Sequence, residues 1–167
     1  MFELKPISRA GVPAALQKAE RYRLLNEPAA AESICLDVLA VEPDNQQATV
    51  MLLLAITDQY RSAPSAHEHQ AREVLPRLSD PYKRAYYTGI VHERLAMARL
   101  EVGAPGAGEM AYDAFREAMR HYEEAERLRP PENDEAILRW NTCVRILQTR
   151  EQHVHPRTRD EYEPSFE

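Results

Sequence analysis

One spacing recurs along this chain and constrains its fold more than any other feature. Ala118, Tyr122, Ala125 and Pro130 stand at intervals of four, three and five, and Ala31, Cys35, Val38 and Pro43 repeat those intervals. On a helix such intervals lay small and larger apolar residues along one seam, and the proline marks where the helix stops. One helical design used twice points to an array of like units. Composition agrees: the 167 residues hold only five glycines and few β-branched residues, against many alanines and leucines. That balance favours helix over sheet. The expected class is all-α, in one domain by length.

Residues 1–11 carry Pro6 and Gly11 and predict an irregular lead-in. Pro13 suits a first helical turn, and Ala15, Leu16, Ala19, Tyr22 and Leu25 follow at helical spacing. Asn26-Glu27-Pro28 breaks the pattern and Ala29 to Val41 resumes it, so these two helices form a hairpin. A second hairpin takes Ala48 to Tyr60 and, after Arg61-Ser62-Ala63-Pro64, a helix that Ser65 is placed to cap and that runs to about Leu78. The third begins at Pro81, continues through Leu100, turns at Gly103 to Gly108 and returns from Glu109 to Arg129. Gly89 lies inside its first helix, where glycine costs about 1 kcal/mol against alanine and therefore asks for a close packing partner. A last helix over 135–150 offers Trp140 as a plug for the exposed end of the array. Residues 151–167 lack periodicity and read as a disordered acidic tail.

These units resemble the tetratricopeptide repeat (TPR), a 34-residue helix-turn-helix with small residues and an aromatic at set positions and a closing proline. Ala19, Tyr22, Ala31, Val38 and Pro43 carry the likeness in a first unit of about 12–45, with Cys35 where the family usually has an aromatic. In a third unit of 81–130 it rests on Gly89, Ala118, Tyr122, Ala125 and Pro130. That unit would be about 17 residues longer than the family's and so project beyond its neighbours. The second unit, 46–80, follows loosely, with Leu53 where a small residue is expected. The resemblance covers about 12–150 and implies a right-handed TPR-like helical-hairpin solenoid, three hairpins plus a C-terminal capping helix. It also implies a concave wall built from the first helix of each unit. Residue by residue, that wall is Leu16, Glu20, Arg23 and Leu24, then Val50, Leu54, Thr57 and Asp58, then Lys83, Tyr86, Ile90, Glu93 and Arg94. Its apolar strip, Leu16, Val50, Leu54, Tyr86 and Ile90, would bury side chains of a protein or peptide partner whose register the flanking charges fix. The subclass that clamps a carboxylate has lysine and asparagine where this chain has Leu16, Glu20 and Met51, so that binding mode is not expected.

No constellation of residues supports catalysis. His67 and His69 are two apart, about 200° around a helix, and cannot face one metal. His153 and His155 lack further ligands. Gly103 to Gly108 is followed by no Lys-Ser/Thr pair, so it is no phosphate loop. Glu123 and Arg127, four apart, describe a solvated helix face. A formal charge of −6 leaves no basic face for nucleic acid. No segment approaches the ~20 apolar residues of a membrane span, and the first residues do not read as a secretory leader. Cys35 and Cys143 lie in apolar seams as small core residues. The expectation is a cytoplasmic, non-catalytic interaction scaffold without metal or cofactor, as a monomer or a homodimer. Three alternatives remain open: a TPR-type chaperone holding a hydrophobic secreted client, a metal-dependent or hydrolytic enzyme using His92 with nearby carboxylates, and a tail that fills its own groove through Tyr162 and Phe166.

Overall fold

The computed structural model describes residues 2–157. Among these the chain forms α1 (Val12–Leu24), α2 (Pro28–Val41), α3 (Gln46–Thr57), α4 (Pro64–Val74), α5 (Pro81–Val102), α6 (Ala107–Leu128) and α7 (Glu135–Thr149), with no strand. The expected all-α class is what the structure shows. Short 3-10 turns occupy Arg9–Gly11 and Leu75–Arg77. Each helix packs on the next within its hairpin, α2 on α3 and α4 on α5 join the hairpins, and α7 packs on α6.

Local chemistry sets the ends. Pro13, Pro28 and Pro81 stand in the first turns of α1, α2 and α5, where a missing N–H costs nothing. Asn45 and Asp80 cap α3 and α5 by accepting from the amides of Ala48 and Tyr82, each at 2.9 Å. Gly103 closes α5 in the left-handed region, φ 65°, which glycine enters without strain. The expected cap at Ser65 does not form: α4 already starts at Pro64, behind Ala63, which has no side-chain acceptor. α4 also stops at Val74, four residues before Leu78, because Pro76 cannot continue an α-helix and the chain passes into the 3-10 turn.

The repeated seam is core in both places. Ala31, Cys35, Val38, Ala118, Tyr122 and Ala125 are all fully buried. Gly89 meets its expected partner, since a Cβ there would lie 2.6 Å from Tyr122 Cδ1 and closer still to Cε1. Two apolar clusters result. The first gathers α1 to α4 with Val91, Leu95 and Ala98 of α5; the second gathers Tyr82, Ala85, Ile90 and Ala96 of α5 with α6 and α7. Burying a side chain such as Leu53 or Phe115 in them contributes about 2–3 kcal/mol each.

At the C-terminal end, Trp140 is half-buried against the second cluster, with its indole N–H enclosed without an acceptor among the described residues. Residues 151–157 are not a free tail: they turn back, and Val154 is 3% exposed within the second cluster. Residues 158–167, with Tyr162 and Phe166, lie outside the described residues.

Candidate functional site

α1, α3 and α5 lie side by side, α3 in the middle. The ends of α1 and α3, the turn into α2 and the loop after α3 enclose, with α5, an open cleft of about 1000 Å³. Arg23, Thr57, Asp58, Arg94, Met97 and Glu101 are among the residues lining it. Four residues of the expected wall therefore meet at one place: Arg23, Thr57, Asp58 and Arg94.

They meet as partners of one another. Asp58 accepts from Arg23 Nε at 2.7 Å through one oxygen and from Arg94 Nη1 at 2.6 Å through the other. Arg94 Nη1 also donates to Thr57 Oγ1, 2.6 Å, and to the Leu54 carbonyl, 3.2 Å, which already accepts from the Asp58 amide. Burial pulls the Arg94 guanidinium's pKa down and the Asp58 carboxylate opposes it. A second rung links α5, α6 and α7. The buried Glu93 accepts from the Tyr122 hydroxyl at 2.6 Å and from Arg139 Nη1 at 3.2 Å. Burial, then the Glu93 charge, pushes the Tyr122 phenol far above its ordinary value. Charges of alternating sign, Arg23, Asp58 and Arg94 and then Glu93 and Arg139, thus link α1, α3, α5 and α7. Asp58→Ala should leave two partly buried guanidiniums facing each other and cost about 1–2 kcal/mol, read as a lower urea midpoint. Asp58→Asn should cost less.

The remaining wall residues are elsewhere. Leu16, Ile90 and Glu93 are 5%, 2% and 6% exposed, so they belong to the interior and not to an open wall. α5 packs on both sides, which consumes the positions of Ile90 and Glu93, and Leu16 joins the first cluster. Val50 is half-buried against the first cluster, and Leu54 and Tyr86 are half-buried against the second. Glu20, Leu24 and Lys83 are exposed. The continuous apolar strip is therefore interrupted, and paired charges take its place at the cleft. Arg139, Met97 and Glu101 escaped the sequence reading. Arg139 lies on α7, outside the first helices from which the resemblance builds the wall.

His92 stacks on His121 of α6, with ring centroids 5.6 Å apart and planes 5° from parallel. Burial lowers both pKa values; His121 adds to the effect on His92 and Arg120 to that on His121, while Glu117 opposes both. Among the described residues no three His, Cys, Asp or Glu side chains come together as a metal cluster. Both imidazoles bind fewer protons folded than unfolded, so their contribution is complete above the unfolded value near 6.5 and is lost as pH falls through it. The urea midpoint should therefore drop between pH 7.5 and pH 5.5, and a His92→Gln/His121→Gln chain should show a flatter profile. An unchanged wild-type midpoint would contradict the burial of the pair.

Cys35 and Cys143 are free and buried, and burial pushes each thiol up to about 12. Neither is a nucleophile at neutral pH. No helix among the described residues is long and apolar enough to cross a membrane. No family model matches the chain, and no characterised protein and no solved structure matches it either.

Proposed function

We propose that this chain is a non-catalytic protein-interaction scaffold of TPR-like build, a right-handed solenoid whose inner wall is α1, α3 and α5. A peptide or helix of a partner protein lies along that wall and enters the cleft at Arg23, Asp58 and Arg94. The observation that carries the reading is the cleft itself. It opens between the first helices of three consecutive hairpins and combines Met97 and Ala98 with the charged side chains of Arg23, Asp58, Arg94 and Glu101. Apolar contact for affinity beside polar groups for register is the usual make-up of a recognition surface. Two buried free thiols fit a reducing compartment such as the cytoplasm.

Position-specific crosslinking tests the reading. A photoreactive residue at Glu101, on the cleft rim, should capture a protein in the cells that make this chain, and one at Arg116, exposed on α6, should not. Asp58→Ala should weaken the capture at Glu101. Capture at Arg116 alone, or equally at both positions, would remove the cleft from the function.

A further inference from the structure

Residues 150–157 leave α7 and fold back over the start of α6. The amides of His153 and Val154 both donate to the Arg150 carbonyl, each at 2.8 Å, making a tight turn. The turn sends Val154 into the second cluster while its neighbours on both sides stay exposed. Its backbone meets α6 at Gly108, where a Cβ would overlap the His153 carbonyl oxygen and lie 3.1 Å from the carbonyl carbon. Arg157 then passes Glu109 and Asp113, one helical turn apart on α6, with Nε 3.8 and 3.9 Å from their carboxylates. One buried aliphatic side chain, one contact that only glycine admits and one exposed charge clasp hold the segment. Among the described residues its hydrogen bonds run to α7 or within itself, none to α6. Segments with so few anchors open at a fraction of the global unfolding cost.

We propose that residues 150–157 are a strap that opens and closes as a unit while the helices stay folded, and that its opening uncovers the apolar end of the third hairpin. α5 and α6, at 22 residues each, are the two longest described helices, and Val154, beyond the end of α7 at Thr149, is buried in the cluster they form with α7. The buried valine sets the closed state. The clasp at Glu109 and Asp113 makes the balance sensitive to ionic strength, because exposed pairs are screened by salt.

Hydrogen exchange on the full chain tests this. In the wild type the His153 and Val154 amides should exchange roughly 100-fold faster than the Tyr122 amide, by a local opening. Gly108→Ala places a methyl group where the His153 carbonyl sits, yet alanine is the better helix former, so α6 itself should not suffer. It should speed exchange at His153 and Val154 by about tenfold and leave Tyr122 within about twofold. Arg157→Glu, which folds regardless, should speed the strap about threefold, an effect that vanishes at high salt. Binding of 1-anilinonaphthalene-8-sulfonate should rise in Gly108→Ala with the near-ultraviolet circular dichroism unchanged. Equal acceleration at Tyr122 would make the strap part of the cooperative core and overturn the proposal. Unchanged strap exchange in both variants would overturn it too, and unchanged dye binding beside an opened strap would reject the uncovered surface.

Discussion

Gly89→Val should lower the stability of this protein by more than about 3 kcal/mol, and Gly89→Ala by about 1–2 kcal/mol net. Alanine gains about 1 kcal/mol of helix propensity at an interior position. Against this, its methyl group would lie inside contact distance of three Tyr122 ring atoms. Overpacking of that kind costs about 1–3 kcal/mol when the neighbour can shift and more when it cannot. Tyr122 is poorly free to shift, being fully buried, tilted against Tyr86 with centroids 6.0 Å apart, and hydrogen-bonded at its far end to Glu93. Urea melts give the single effects, and a double-mutant cycle isolates their cause. In a Tyr122→Leu background, Gly89→Ala should become neutral or stabilising. A penalty of the same size there would mean that the glycine serves something other than the tyrosine ring.

Tyr122→Phe should cost about 2–3 kcal/mol, a large effect for the loss of one oxygen. The hydroxyl is the shorter of the two hydrogen bonds to Glu93, whose side chain is 8% exposed, and Arg139, 40% exposed, supplies the other. Hydrogen bonds to charged groups contribute about 1.5–3 kcal/mol, and removing a donor strands the acceptor at its full desolvation cost. Glu93→Gln in the Tyr122→Phe background should recover part of the loss, because a neutral amide tolerates the vacancy better than a carboxylate. If Tyr122→Phe melted within about 0.5 kcal/mol of wild type, the bond would be contributing nothing to the α5–α6–α7 junction.

The seam of small residues and prolines made the helices and their turns legible, because Ala31, Val38, Ala118 and Ala125 work through local periodicity. Gly89 was legible for a similar reason: a costly residue inside a helix announces a close neighbour. The wall was legible only in part. Arg23, Thr57, Asp58 and Arg94 were placed on one face, but their pairing depends on the register between helices 35 or 36 residues apart along the chain. Ile90 and Glu93 were misassigned because α5 is enclosed from both sides, and no periodicity within one helix reports how many neighbours it will have. Val154 had no signal at all. It is one valine in a polar stretch, and its burial depends on the turn at Arg150 that brings it into the second cluster.

α5 is a party wall. It lends Val91, Leu95 and Ala98 to the core on one side and Tyr82, Ala85, Ile90 and Ala96 to the core on the other. The two halves of the molecule are therefore unequal owners. A cut between Ser79 and Asp80 leaves the later piece with every buried member of its cluster and strips three from the earlier one. Under a stretching force on the chain ends, the first two hairpins should yield before the third, since α5 departs with α6 and takes one side of their core with it.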